Sequence, residues 1–189
     1  MSTQKIIAIG ASTGGVEALR VVISAFPRTM PPVLIVQHMP PHFTRLFSER
    51  LDSEFNISVK EAQSGDLVVP GQVYIAPGGK HMKLVKKAGV LQLDCFVGEK
   101  VQYAIPSVDV LFYSVAEIAG QNAVGVILTG VGGDGANGLL EMRKNGAKTI
   151  GQDKGSCVVY GMPKAAFELK AVEHVLPLDK IASKVLSLV

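Results

Sequence analysis

Lys5-Ile6-Ile7-Ala8-Ile9-Gly10-Ala11-Ser12-Thr13-Gly14-Gly15 is the stretch that decides the fold. Lys5 to Gly10, rich in Ile and ending in glycine, reads as a strand buried on both faces, like the inner strands of parallel sheets. From Thr13 to Phe26 the period changes: Val16, Leu19, Val22, Ile23 and Phe26 fall at helical intervals, and Pro27 stops the run. Val33 to Gln37 supplies a second buried strand. Pro41 to Leu51 follows as a second helix, with Phe43, Leu46, Phe47 and Leu51 on one face. Short apolar strands alternating with amphipathic helices predict an α/β fold with right-handed crossovers and a parallel sheet.

Working outward, the middle of the chain breaks this rhythm. Ile57 to Lys60, Val73 to Ala76, Met82 to Lys86 and Leu91 to Phe96 are short strand-like pieces separated by turns at Gly65, Gly71, Gly78-Gly79 and Gly89. Met82 to Phe96 reads as a β-hairpin appended to the main sheet. The alternation then resumes with helix Ser107 to Ala119, strand Ala123 to Leu128 and helix Gly135 to Lys144. Strand Thr149 to Gln152, a helix near Pro163 to Leu169, strand Glu173 to Leu176 and a last helix complete it. With no internal repeat and no linker of biased composition, residues 1–189 are expected to form a single domain.

Composition narrows the function classes. Hydrophobic residues make up 48 % of the 189 positions and charged residues 19 %, enough apolar surface to offset the entropy of ordering and to exclude disorder. The net charge of +3 is scattered, there is no Trp, and aromatics are 6 %, so a basic stripe with interleaved aromatics for nucleic acid is missing. The longest apolar stretch, Ala123 to Leu128, is far short of the ~20 residues that span a bilayer. Met1 to Lys5 runs directly into a strand without a leader-like segment, so the expected compartment is the cytoplasm. Cys95 and Cys157 make neither a disulfide framework nor a zinc site by themselves.

The turn after the first strand, Gly10-Ala11-Ser12-Thr13-Gly14-Gly15, admits two chemical readings. A dinucleotide cradle needs glycine where Ser12 stands and a carboxylate at the end of the second strand, where the chain has Gln37-His38. The alternative, G-x-S-x-G, is a nucleophile on a strand-to-helix turn, with free helix N–H groups nearby to stabilise an oxyanion. Ser12 as a simple helix cap is a third possibility. His38 closes the second strand before Pro40 and Pro41, and the C-terminal ends of parallel strands share one edge, where ligands bind. If the first two strands are neighbours, Ser12 and His38 face one crevice. A lone His in that setting is also a common structural residue. Asp134, in Gly132-Gly133-Asp134-Gly135 after strand Ala123 to Leu128, is the acid best placed to orient such a histidine, or else it caps the helix that follows. Asp109 lies inside a helix pattern, Asp94 in the hairpin, and Asp153 after a strand nearer the sheet edge.

Gly10-Ala-Ser-Thr-Gly-Gly15, Gln37-His-Met-Pro-Pro41, Tyr74-Ile-Ala-Pro-Gly78, Pro106-Ser-Val-Asp109, Leu128-Thr-Gly130 with Gly133-Asp-Gly135, and Tyr160-Gly-Met-Pro163 together resemble the catalytic domain of bacterial chemotaxis protein-glutamate methylesterases, the CheB family. The match runs in order over nearly the whole chain. The resemblance implies a three-layer, mostly parallel Rossmann-like sheet between helices. It implies hydrolysis of glutamate methyl esters on the cytoplasmic helices of methyl-accepting chemotaxis receptors, deamidation of certain receptor glutamines, and no cofactor. It places nucleophile, base and orienting acid on Ser12, His38 and Asp134, Thr13 near the nucleophile, and the Val131 N–H against the transition state. Two positions depart from the family pattern: Val131 stands where Met is common, and Ile105 replaces an Arg before Pro106-Ser107. The family's phosphorylatable receiver domain is expected to be absent, which would make the chain an isolated catalytic domain or a stand-alone relative.

His81 is expected at the surface or in a turn, and His42 and His174 are read as structural or solvated. No pair of these histidines has the spacing or acidic company of a metal site. Cys157 and Met162 read as core, and Lys86-Lys87 as a solvated hairpin tip.

Overall fold

The computed structural model describes residues 4–189. In chain order the elements are β1 Ile6–Ala11, α1 Gly15–Ser24, β2 Val33–Gln37, α2 Phe43–Glu54, β3 Ser58–Glu61, β4 Gln72–Ile75, β5 His81–Lys87, β6 Val90–Phe96, α3 Val108–Ala119, β7 Ala123–Ile127, α4 Ala136–Lys144, β8 Lys148–Gln152, α5 Met162–Glu168, β9 His174–Leu176 and α6 Leu178–Leu188.

β1 is buried along its whole length, and its period of two divides its side chains between two cores. Ile6 and Ala8 pack with Leu111, Phe112, Leu139 and Met162 under α3, α4 and α5. Ile7, Ile9 and Ala11 pack with Leu19, Ile23, Phe47 and Ile181 under α1, α2 and α6. This produces the three layers. The large sheet has seven strands in the order β3-β4-β2-β1-β7-β8-β9, every pair parallel. β5 and β6 pair antiparallel as a separate two-stranded sheet. The hairpin therefore does not lengthen the large sheet. It buries Met82, Leu84 and Leu93 in the α3-side core, and the Leu84 N–H donates to Ser114 Oγ on α3 at 3.0 Å.

The sheet order reverses at β1: the chain first builds outward through β2, then returns to the other side of β1 with β7. The crevice outside the C-terminal ends of β1 and β7 is the topological switch point where ligands bind in such sheets. β1 extends through Ala11, and α1 begins at Gly15 behind a left-handed Gly14 at φ 81°. Ser12 and Thr13 are thereby left in the turn at that crevice, outside the helix. Among the described residues, no helix is long and apolar enough to cross a membrane.

Candidate active site

Register brings Ser12 and His38 level. Ala11 pairs with Gln37, and the His38 N–H donates to the Ala11 carbonyl at 3.1 Å, so the next residue on each strand stands beside the other. The backbone of Ser12 is fixed from three directions. Its N–H donates to the Thr129 carbonyl beyond β7 at 3.0 Å; its own carbonyl accepts the Gly15 N–H at 2.7 Å and Gln37 Nε2 at 2.9 Å. Gly130 lies against it so closely that a Cβ there would come within 2.7 Å of Ser12 Cβ and collide with Met162 Sδ. The first turn is packed by the protein itself: a Cβ on Gly10 would strike Val108, and one on Gly14 would strike Val158. Those glycines serve close packing of side chains, and Ser12 stands where a dinucleotide turn needs its second glycine.

His38 and Asp134 meet: Nε2 of the ring lies 2.7 Å from Asp134 Oδ2. The His38 side chain is one-fifth exposed, while Asp134 is buried. Asp134 does not cap the helix that follows it, since α4 starts at a left-handed Gly135 without a side-chain cap. Its carboxylate is aimed at the start of α3. Oδ1 accepts from Ser107 Oγ at 2.7 Å and from the Asp109 N–H at 3.0 Å; Oδ2 accepts the Val108 N–H at 2.7 Å as well as His38. The open N–H groups and positive dipole end of α3 thus hold an anion buried beside a histidine. Among the described residues the Ser12 hydroxyl makes no hydrogen bond, and contacts of this kind tighten when substrate excludes water.

His81 is a correction. Its expected surface position gives way to a site 2 % exposed at the start of β5. Nδ1 accepts the Ser107 N–H at 3.1 Å and Nε2 donates to the Glu99 carbonyl at 2.7 Å, so these partners set the tautomer. A hydrogen-bonded path consequently runs from Glu99 through His81 and Ser107 to Asp134 and His38. Asp109, in the first turn of α3, is buried and accepts the Gly138 N–H at 2.7 Å. Burial, reinforced by the Asp134 charge and opposed by the N–H groups of Gly138 and Gly135, pushes its carboxyl up to about 6.

Thr13 is exposed in the turn after Ser12, and its carbonyl accepts Thr129 Oγ1 at 3.0 Å. Val131 is 60 % exposed at the tip of the β7 loop, and among the described residues its N–H has no partner. Ile105, half-buried, lines an open groove of about 300 Å³ with His38, Met39, Pro40, Lys100, Tyr103 and Pro106. Met162 is buried as expected, and Lys86 and Lys87 are exposed. Burial pushes the Cys157 thiol up to about 11 and the Cys95 thiol up to about 12, so neither is a ready nucleophile. Among the described residues, no group of His, Cys, Asp and Glu is arranged to hold a metal.

A family model described as CheB methylesterase matches residues 7–185. This chain belongs to the CheB methylesterase family. A protein-glutamate methylesterase/protein-glutamine glutaminase of Syntrophotalea carbinolica is 53 % identical over 187 residues, 99 % of this chain and 53 % of that protein. One of the same name from Salmonella typhi is also 53 % identical over 187 residues, 99 % of this chain and 54 % of its own. The chain spans about half the length of the curated relatives it matches. The crystal structure of the Thermotoga maritima CheB methylesterase catalytic domain superposes with a TM-score of 0.96 at 42 % identity, each chain covered in full. Within this CheB fold, sequence reasoning missed the parts played by His81 and Ser107. The Ser107 helix cap was legible before Val108-Asp109; that the helix start would serve Asp134, 25 to 27 residues away, was not.

Proposed function

We propose that this chain is a serine hydrolase that removes methyl esters from glutamate side chains on the cytoplasmic helices of methyl-accepting chemotaxis receptors and deamidates receptor glutamines. Residues 1–189 are read as one methylesterase-type catalytic domain working in the cytoplasm. The observation that carries the proposal is the buried Asp134, held by the start of α3 and turned to His38 beside Ser12. The printed names of the relatives, glutamate methylesterase and glutamine glutaminase, supply the two leaving groups.

The chemistry follows from the placement. Asp134 accepts a hydrogen bond from His38 Nε2–H, which leaves Nδ1 as the ring nitrogen for Ser12. His38 accepts the Ser12 proton as Oγ attacks the ester carbonyl, and the Val131 N–H at the loop tip stabilises the oxyanion, with Thr13 lining the same turn. The tetrahedral intermediate collapses, the C–O bond to the methoxy group breaks, and His38 returns the proton so that methanol leaves. Water, deprotonated by His38, then splits the glutamyl ester of Ser12 and releases the carboxylate. With glutamine the leaving group is ammonia. Asp134 stays ionised throughout, orienting the ring and stabilising the imidazolium.

Methanol release from a methylated cytoplasmic fragment of a chemoreceptor tests this reading. The chain should release methanol without added cofactor, and Ser12→Ala should lower the rate by roughly 10³-fold or more. Binding without methanol release would instead make the chain an adaptor.

A further inference from the structure

We propose that Tyr103 is a specificity-determining anchor that grips the polypeptide bearing the ester, at the groove where His38 sits. The inference rests on the esterase reading and adds what that reading does not contain: a recognition element outside Ser12, His38 and Asp134.

Backbone geometry is the first observation. Val101 and Ala104 exchange hydrogen bonds, N–H to carbonyl in both directions at 3.0 Å, closing a two-residue hairpin turn over Gln102 and Tyr103. Both central residues have positive φ, 50° and 63°. Turns of this kind strongly favour Asn-Gly or Gly-Gly, because a Cβ crowds the backbone in the left-handed region. Two consecutive long side chains there are a local strain, and such strain concentrates at sites of function.

Exposure is the second. Tyr103 is 96 % exposed. A single exposed aromatic on an ordinary loop would mean little. Here the strained turn holds the ring out, and the loop beneath is tied down by Glu99, whose carbonyl accepts His81 Nε2–H at 2.7 Å. Tyr103 is thus presented on a pre-ordered loop, which lowers the entropic cost of binding.

Location is the third. Tyr103 shares its groove of about 300 Å³ with His38, with the apolar Met39, Pro40 and Ile105, and with Lys100. Because His38 forms part of the wall, whatever fills the groove while the ester reacts is the chain on either side of the esterified glutamate. The wall chemistry calls for a segment with an apolar side chain against Tyr103, Ile105 and Met39. A carboxylate beside it would face Lys100.

Two substrates separate recognition from chemistry: a methylated chemoreceptor cytoplasmic fragment, and the small ester N-acetyl-glutamate γ-methyl ester. The quantity read is the ratio of kcat/KM on the fragment to kcat/KM on the small ester, for the parent, Tyr103→Gly and Tyr103→Phe. Glycine suits the turn, so Tyr103→Gly should melt no lower than the parent while its ratio falls ten-fold or more, mainly through KM on the fragment. Tyr103→Phe, which keeps the ring, should hold the ratio within about two-fold of the parent. A parental ratio in Tyr103→Gly would overturn the proposal, as would an equal loss on both substrates, because either leaves the ratio unmoved. A parent that hydrolyses neither substrate would overturn the esterase reading and this anchor with it.

Discussion

Four hydrogen bonds converge on the Asp134 carboxylate, and one of their donors, Ser107, is itself held by His81. Replacing His81 by Phe would leave the buried Ser107 N–H without an acceptor, a cost of about 1–3 kcal/mol, and would release the helix start that steadies Asp134. Such a variant is expected to lose ten-fold or more in kcat on methylated receptor with KM little changed. Asn at 81 keeps an acceptor near the place of Nδ1 and should recover most of the loss, whereas a merely space-filling role would favour Phe over Asn. Ile105 offers the opposite experiment. It lines the open groove with His38, so the guanidinium of an Arg there can extend into the groove. A charge-assisted contact with an acidic substrate is worth about 1.5–3 kcal/mol, and Ile105→Arg is expected to raise kcat/KM on methylated receptor ten-fold or more, with an unshifted melting temperature. Ser12, His38 and Asp134 were legible because each lies in a loop that follows a strand at the same sheet edge. His81 was not, because its two partners lie 18 and 26 residues away and only the folded hairpin brings them together.

Elements explain why those side chains converge. The start of α3 is an anion site already occupied by Asp134, and the next carboxylate along it, Asp109, bears the consequence. Burial and the Asp134 charge raise its carboxyl from 3.8 to about 6 in the folded chain. Between those values the folded state binds a proton that the unfolded state has released, so the Asp109 contribution to stability falls as pH rises from about 4 to 6. Asp109→Asn removes the titration. Its stability relative to the parent is expected to improve by about 1–2 kcal/mol between pH 4 and pH 7, read from urea unfolding at each pH. A pH-independent difference would mean that Asp109 is ionised at no cost. The β7 loop makes a second test at this scale. A methyl group on Gly130 would press on Ser12 Cβ and Met162 Sδ. Displacement of a nucleophile by about 1 Å costs on the order of 10²-fold, the loss in kcat expected for Gly130→Ala in a variant that circular dichroism shows to be folded. Element types and most boundaries could be read from period and punctuation. The hairpin's seat was not readable, because local alternation marks a strand without saying whether it pairs with the large sheet or lies on α3.

Across the whole molecule, function follows from strand order. The chain lays β2 on one side of β1 and β7 on the other, so Ser12 rises from the central strand with His38 and Asp134 arriving from opposite flanks. The α/β alternation implied a parallel sheet, but the placement of β7 against β1 depends on packing between segments more than a hundred residues apart. The central claim, that Ser12 and His38 act as one unit, is tested most directly by comparing kcat on a methylated chemoreceptor fragment for Ser12→Ala, His38→Ala and the double variant. Each single change is expected to remove most of the rate, and the double change to remove little more, because a unit broken once has nothing further to lose. Losses that multiply in the double variant would place the two residues in separate steps and contradict the account.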